Sequence, residues 1–164
     1  MGASYEGGLD GGGRRFALAA SRFNRLVTDL LVTGAREELR RLGVADRDVD
    51  IAWVPGSFEL PLVVARLARS GRYAGVVALG AVIRGETPHF DHVAGQAAAG
   101  LAEVARTSGV PVGFGVLTTE TLEQALDRAG GKAGNKGADA ARAVLETASL
   151  LEAIDKEAHD READ

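Results

Sequence analysis

The stretch that decides the fold is AGVVALGAVI, residues 74–83, in which every side chain is apolar or absent. A short continuous apolar run of this kind is typical of a strand that is covered on both faces, as in the middle of a parallel sheet. We therefore place a central strand at 74–83. Because parallel neighbours must be joined by long crossovers, usually helices, the rest of the chain should alternate strands with helices.

The sequence on either side of the central strand shows this alternation. Three more apolar runs predict strands at RRFALAAS (14–21), VDIAWVP (49–55) and PVGFGVLT (111–118). Helical spacing predicts five helices. The first runs from Leu26 until Gly43, and the second from the turn that holds Pro61 until Gly71. The others run from Thr87 to about Ser108, from Thr121 until Gly130, and over about 138–155. Thr87 is the predicted N-cap, with Pro88 at the first helical position. The order predicts an α/β three-layer sandwich: a four-stranded parallel sheet flanked by helices.

Composition limits the classes of protein that the chain can represent. Its 164 residues, 46% hydrophobic and 26% charged, fit one domain. We expect that domain over 14–155, with a flexible arm at 1–13 and a polar tail at 156–164. The net charge of −4 disfavours nucleic acid as the partner, and a chain without cysteine has no disulfide or thiol nucleophile. We see neither a signal-peptide pattern nor a membrane-length apolar segment, and so expect a cytoplasmic protein that binds no membrane.

Ligands of open parallel sheets bind beyond the carboxyl ends of the strands, so the loops that leave the strands are the expected binding positions. The first three of these loops contain Phe23, Ser57, Phe58, Glu59 and the segment 84–89. Aromatic residues make up only 5% of the chain, yet four of them are expected near this edge of the sheet: Phe23, Phe58, Phe90 and Phe114. Core packing explains each phenylalanine taken singly. Together they suggest a flat ligand that stacks on a ring.

A candidate anion site follows the central strand. Gly85 permits close approach of a ligand, and the helix that starts near Thr87 offers free N–H groups of the kind that bind phosphate. Glu86 fits such a site if its side chain turns away. Since every helix has such an end, a purely structural explanation stays open. His89 is the candidate acid/base, because the helix dipole disfavours its charged form while a bound phosphate favours it; a surface or capping role is the alternative.

Other motifs exclude several enzyme classes. DRAGGKAGNKG, residues 127–137, is cationic and glycine-rich, but it lacks the order of a phosphate loop and follows no strand. The dinucleotide fingerprint and the G-x-S-x-G elbow are absent from the sequence. The spacing of the three histidines makes no metal motif. We expect a mobile cationic loop, in which a solvated turn explains Lys132 but a ligand role is favoured for Arg128.

Taken together, five motifs resemble the 6,7-dimethyl-8-ribityllumazine synthase family of riboflavin biosynthesis. They are SRFN, PGSFELP, GAVIRGETPHFDHV, GVLTTET and EQALDRAGGKAGNKG, in that order over about residues 14–154. The resemblance implies a flavodoxin-like fold. It also implies a transferase that condenses 5-amino-6-(D-ribitylamino)uracil with 3,4-dihydroxy-2-butanone 4-phosphate, giving the lumazine, phosphate and water, with neither a metal nor a cofactor.

The resemblance assigns roles to residues of this chain. His89 is similar to the family's proton-transfer residue, and Phe23 to the ring that stacks on the pyrimidine. The pyrimidine and its ribityl chain would be held by Ser57, Phe58, Glu59 and the backbone of Ala81, Val82 and Ile83. The phosphate would be held by Glu86, Thr87 and Arg128. An adjacent subunit would supply Phe114, Arg128 and Lys136. The family assembles as homopentamers, and the short GGKAGNKG resembles the branch that packs twelve pentamers into an icosahedral 60-subunit shell.

Two other interpretations remain at the level of sequence. A shell protein of the same fold that binds flavin or lumazine without catalysis would keep the pocket but is disfavoured by His89 and Arg128 together. A receiver domain or another α/β enzyme would share the sheet. A receiver needs acidic residues after the first strand and an Asp after the third. Here the first of these loops is SRFN (21–24) and the second is RGETPH (84–89), which disfavours a receiver. No role follows for Arg25 or for the glycine-rich arm.

Overall fold

The central feature of the structure, a computed structural model that describes residues 2–163, is a four-stranded parallel sheet. Its strands are β1 (Phe16–Ser21), β2 (Val49–Val54), β3 (Gly75–Ile83) and β4 (Val112–Thr119), in the spatial order β2-β1-β3-β4. All three strand pairs are parallel. The predicted sheet is confirmed, and the decisive stretch forms β3 in its interior.

Helices cover both faces of the sheet, which gives the predicted three layers. They are α1 (Arg25–Arg41), α2 (Leu60–Ala68), α3 (His89–Ser108), α4 (Leu122–Arg128) and α5 (Lys136–Glu162). Short 3-10 helices lie at Asp46–Asp48 and Ser57–Glu59. Helices α1, α4 and α5 contribute to the core on one face, and α2 and α3 to the core on the other.

The alternation of side chains along β3 divides its apolar residues between the two cores. Val77, Leu79 and Ala81 belong to the face of α1 and α5, and Val76 and Ala78 to the face of α2 and α3. All five are at most 2% exposed. Burial of a Val or Leu side chain is worth about 1.5–3 kcal/mol, so both faces of this one strand hold the layers together.

Helix α3 begins one residue later than the sequence predicts. Thr87 is not the N-cap: that position is taken by Pro88, whose ψ of 1° lies outside the helical range, and no side chain caps the helix. His89 is therefore the first helical residue instead of about the second. No side chain caps the start of α3, which leaves the N–H groups of His89 and Phe90 free for a ligand, whereas the Asp91 N–H donates to the Pro88 carbonyl at 3.1 Å.

The last third of the chain departs from the prediction in two places. An antiparallel hairpin of β5 (Ala129–Gly131) and β6 (Gly134–Asn135) stands where only a loop was expected. Helix α5 runs to Glu162, so its predicted end near residue 155 is wrong. The extra turns are polar, and an ion pair of 2.6 Å between Arg161 and Glu157, four residues apart, supports them.

The glycine-rich arm lies along the domain. The Gly11 N–H donates to the Leu42 carbonyl at 2.7 Å, and the Gly8 N–H donates to the Ser149 hydroxyl at 3.0 Å. These contacts join the arm to the end of α1 and to α5. The division of the chain at residues 13 and 155 into arm, domain and tail stays a prediction.

None of the helices within residues 2–163 is both long and apolar enough to cross a membrane. Over the same residues, no three His, Asp or Glu side chains cluster as the ligands of a metal ion would. The cytoplasmic location stays a prediction.

Candidate active site

A cleft of about 650 Å³ opens at the carboxyl ends of β1, β2 and β3, where a parallel sheet is expected to bind ligands. Its volume is within the usual range for a small-molecule site. The lining residues are Phe23, Asn24, Pro55, Gly56, Ser57, Phe58, Glu59, Ala81, Val82, Ile83, Gly85, Thr87, His89, Phe90, His92 and Val93. The structure thus brings together nine of the thirteen predicted site residues.

Three phenylalanines of the cleft present their rings to it. Phe23 is 70% exposed and Phe58 62% exposed, whereas Phe90 is half-buried. Exposed rings in a cleft are available to stack on a ligand, which core packing would prevent. Phe114 is different: it is the third residue of β4, pairs with Ala78 and does not line the cleft. The expectation that it lies near this edge of the sheet is therefore wrong.

Asn24 fixes the turn that presents Phe23. Its φ of 58° is left-handed, a conformation that Asn tolerates better than most residues, and its carbonyl accepts from the N–H of Val27 at 3.0 Å. The Asn24 side-chain amide donates to the Ala81 carbonyl at 2.9 Å. This residue thereby ties the loop after β1 to β3. The role of Asn24 was not predicted from the sequence. The available signal is its position between the aromatic Phe23 and the start of a helix.

The end of β3 offers unpaired backbone to the cleft. Pairing with β1 reaches only as far as Leu79, whereas pairing with β4 continues to Ile83. The Arg84 N–H donates to Thr119, so residues 82 and 84 direct their backbone groups toward β4. Because these directions alternate along a strand, the backbone groups of Ile83 point to the cleft side, as the Ala81 carbonyl does. Ile83 is therefore the free hydrogen-bonding position of the edge.

The 3-10 turn of Ser57–Glu59 lies close against β3. A Cβ atom on Gly80 would come within 2.7 Å of the Ser57 hydroxyl, so only glycine at position 80 lets this turn approach. Ser57 is buried, whereas Phe58 and Glu59 are exposed at the cleft. The Glu59 carboxylate is thus placed as a hydrogen-bond acceptor at the cleft wall.

Two imidazoles lie at the start of α3. His89 is the first residue of the helix, His92 lies one turn later, and both are exposed and line the cleft. His92 was not predicted as a site residue, although its spacing of three from His89 places both on one helix face. Gly85 and Thr87 line the cleft beside them, whereas Glu86 is exposed and outside the lining.

Arg128, Lys136 and Phe114 do not line this cleft in the single protomer. The Arg128 guanidinium donates to the Gln124 carbonyl of its own helix at 3.0 Å. The Lys136 ammonium lies 3.8 Å from the carboxylate of Asp139. That an adjacent subunit supplies these three side chains to the cleft stays a prediction.

The resolved pKa shifts lie outside the cleft. At the start of β2, the Tyr73 hydroxyl donates to Asp50 at 2.6 Å, and this hydrogen bond lowers the pKa of the Asp50 carboxyl. Burial, and then the bond to Asp50, raise the pKa of Tyr73. Because this cluster is at the opposite end of the sheet from the cleft, we assign it to stability.

Comparison with known proteins settles the family. A sequence model described as 6,7-dimethyl-8-ribityllumazine synthase matches residues 13–152. The chain belongs to the 6,7-dimethyl-8-ribityllumazine synthase family. A curated relative of that name from Nitratidesulfovibrio vulgaris strain Miyazaki F is 56% identical over 151 residues, which cover 92% of this chain and 97% of the relative. Relatives of the same name from strains DP4 and Hildenborough are 54% identical over the same shares.

Every residue that lines the cleft falls within the part of the chain that matches the lumazine synthase family. The predicted resemblance and the predicted fold are therefore confirmed. The cleft is the place where the lumazine synthase motifs SRFN, PGSFELP and GAVIRGETPHFDHV meet.

Proposed function

We propose that this chain is an enzyme, a transferase that condenses 5-amino-6-(D-ribitylamino)uracil with 3,4-dihydroxy-2-butanone 4-phosphate. The products are 6,7-dimethyl-8-ribityllumazine, phosphate and water, as in riboflavin biosynthesis. One observation carries the proposal: in a chain of this family, exposed aromatic rings, an unpaired strand edge and an uncapped helix start all open onto one cleft. The non-catalytic shell protein is not favoured by the relatives, which are named as synthases.

The pyrimidine belongs at the strand end of the cleft. The exposed ring of Phe23 offers a stacking surface, and the free backbone of Ile83 offers hydrogen bonds to the polar edge of the heterocycle. Ala81 and Val82 complete that edge. Ser57 and Phe58 hold the pyrimidine from β2, and the Glu59 carboxylate accepts hydrogen bonds from the ribityl hydroxyls.

The phosphate belongs at the start of α3. Free N–H groups and the positive end of the helix dipole favour a dianion there. Thr87 adds a hydroxyl donor, and Glu86 contributes its backbone N–H while its side chain stays outside the cleft lining. The guanidinium of Arg128 completes the phosphate site from an adjacent subunit.

The reaction needs orientation more than activation. The primary amine condenses with the ketone carbonyl and releases a first water to form an imine. Phosphate then leaves, and attack of the ribitylamino nitrogen on the second carbonyl, with loss of a second water, closes the ring. Good alignment of two reactants is worth up to about 7–11 kcal/mol. His89 transfers the protons that these steps move, a contribution of about 10²- to 10⁴-fold.

We propose further that the protein is a homopentamer and that twelve pentamers form a 60-subunit shell. The exposed apolar side chains support association, because Leu62 is 71% exposed, Leu26 is 64% exposed and Phe114 is 49% exposed. An adjacent subunit then supplies Phe114, Arg128 and Lys136 to the cleft. In this arrangement each active site is shared between two copies of the chain.

The test of the function is incubation of the purified chain with both substrates, with the lumazine followed by its fluorescence and the released phosphate measured in parallel. We expect both products in equal amounts, and neither when one substrate is left out. Tight binding of added lumazine without any turnover would instead favour the non-catalytic shell protein.

A further inference from the structure

Arg84 is the first residue after β3, and its guanidinium contacts three residues. Its Nε lies 2.8 Å from a carboxylate oxygen of Glu120, and its Nη2 lies 3.4 Å from a carboxylate oxygen of Asp91. The guanidinium carbon is 4.6 Å from the centre of the Phe90 ring. Arg84 thus joins the end of β4 to the first turn of α3.

These contacts lie where the backbone has little other support. Residues 84–88 are in neither a helix nor a strand, and each of residues 84–89 is exposed. The first turn of α3 has no capping side chain. By contrast, the backbone of Arg84 is fixed, since its N–H donates to the Thr119 carbonyl at 2.9 Å. The Arg84 side chain therefore extends from the rigid sheet to a helix start that is otherwise weakly held.

We propose that Arg84 is a positioning residue for the reaction: by holding Phe90 and Asp91 against the end of β4, it sets the direction of the α3 start, and with it the His89 imidazole and the first-turn N–H groups. The inference rests on the proposed function. No contact of Arg84 with substrate is part of it, since Arg84 does not line the cleft.

Such a contact set affects turnover more than stability. Exposed ion pairs and exposed cation–π contacts contribute little to the free energy of folding. A displacement of reacting groups by about 1 Å, however, costs about 10²-fold in rate. Loss of the Arg84 contacts should therefore leave the chain folded while its chemistry slows.

The first experiment compares steady-state kinetics of the wild type, Arg84→Gln and Arg84→Lys. We expect Arg84→Gln to lower kcat by about 10-fold or more and to raise KM for the phosphorylated ketone, with KM for the pyrimidine unchanged. The melting temperature should change by less than about 4 °C. Arg84→Lys should recover part of kcat only, because an ammonium can pair with one carboxylate but lacks the planar fork of Arg. Arg106→Gln, near the far end of α3, is the control with unchanged kinetics.

Glu120→Gln separates positioning from direct phosphate binding. If Arg84 bound the phosphate itself, loss of its carboxylate partner would free the guanidinium and lower KM for the phosphorylated ketone. If Arg84 positions the helix, Glu120→Gln should raise that KM and lower kcat, and the double variant should be no worse than Arg84→Gln alone. Should Arg84→Gln fail to fold, the kinetics of Glu120→Gln and Asp91→Asn still show whether the Arg84 contacts position the start of α3.

The outcomes distinguish this inference from the proposed function. A wild type that forms no lumazine contradicts the proposed function. A fully active wild type whose Glu120→Gln variant has unchanged or improved kinetics overturns the positioning role of Arg84 alone. The positioning role is also overturned if Arg84→Gln and Arg84→Lys lose the same amount of kcat as each other and the same amount of melting temperature, with every KM unchanged. That pattern indicates a loss of folded protein.

Discussion

His89 and His92 provide the first prediction, since both residues line the cleft and lie one turn apart at the start of α3. We expect His89→Ala to lower kcat by about 10²- to 10⁴-fold, the usual contribution of one general acid/base, and to leave turnover measurable because the substrates are still oriented. His92→Ala is the matched variant and should lose less, because His92 lies a turn farther from the open helix end. Steady-state kinetics with both substrates measures the two effects. Complete loss of turnover in His89→Ala, or the larger loss in His92→Ala, would contradict this assignment.

Asp50 provides a prediction about stability and pH. Its carboxylate accepts from the Tyr73 hydroxyl and pairs with Arg15 at 3.0 Å, and the folded-state pKa lies below the ordinary value of 3.8. A carboxyl with a lowered pKa stabilises the fold above its unfolded pKa, and this contribution is lost as the pH falls through the folded value. Asp50→Asn should therefore melt at a lower temperature than the wild type at pH 7.

The difference in melting temperature between Asp50→Asn and the wild type should shrink as the pH falls below about 3.8. Thermal unfolding followed by circular dichroism at several pH values measures it. Asp155→Asn, an exposed position near the end of the chain, is the control with an unchanged melting temperature. A difference that stays constant down to the lowest pH would show that the lowered pKa of Asp50 is not its source.

For single residues, the sequence could predict which loops line the cleft but not the side-chain contacts that hold those loops in place. Phe23, Phe58 and Glu59 were located correctly because they follow strand ends, which a topology rule places at one edge of the sheet. The left-handed turn at Asn24 could not be predicted, since the Ala81 carbonyl that accepts its amide lies 57 positions away in the sequence. His92 has no signal of its own in the sequence, and only its spacing of three from His89 on a helix indicates that it lies at the cleft.

At the scale of the elements, hydrophobic pattern accounts for what was predicted and for what was not. The four strands and the first three helices follow from apolar runs and helical spacing, because burial decides those elements. The last turns of α5 are polar, and the ion pair of Arg161 with Glu157 that supports them carries no hydrophobic signal. The hairpin at 129–135 is likewise too short and too rich in glycine for its pattern to indicate strands.

Asn135 joins several elements and gives a prediction at this scale. Its amide donates to the Leu30 carbonyl of α1 at 3.0 Å and to the Ala129 carbonyl of β5 at 3.2 Å, and its side-chain oxygen caps α5. A Cβ on Gly34 would lie 2.3 Å from that side chain. Gly34→Ala should therefore lower the free energy of unfolding by about 1–3 kcal/mol, despite the better helix propensity of Ala.

Denaturant unfolding of Gly34→Ala and Gly95→Ala measures this effect against a matched control. Gly95 lies in α3 with no atom within 4 Å of an added Cβ, so Gly95→Ala should be neutral or stabilising by up to about 1 kcal/mol. If both variants gained stability equally, the close approach of Asn135 to α1 would not be a constraint on the fold.

For the whole molecule, the mass of the assembly is the first quantity to measure. Five chains of 17.0 kDa make about 85 kDa, and sixty make about 1 MDa. We expect the larger species by light scattering coupled to size exclusion. A single species at 17.0 kDa would contradict every shared site, because no neighbouring chain would then be present.

The sequence could predict most of the site residues within one chain and only imply those that an adjacent subunit would supply. The cleft follows from the topology of one protomer, which brings β1, β2 and β3 to one edge. Arg128, Lys136 and Phe114 lie outside the cleft of that protomer, so the role proposed for them requires a second copy of the chain. Neither hydrophobic pattern nor motif spacing encodes that packing, and here the family resemblance supplied the expectation.

The most direct test of the shared site is a mixing experiment with two variants. His89→Ala and Arg128→Ala should each be strongly impaired, the second chiefly through a raised KM for the phosphorylated ketone. The two variants are produced together, so that both chains enter each assembly at random. If a cleft takes His89 from one chain and Arg128 from its neighbour, about a quarter of the clefts contain both native residues. At a concentration of the phosphorylated ketone well below its wild-type KM, about a quarter of the wild-type rate should therefore return. Activity no higher than the average of the two separate variants would contradict the shared site.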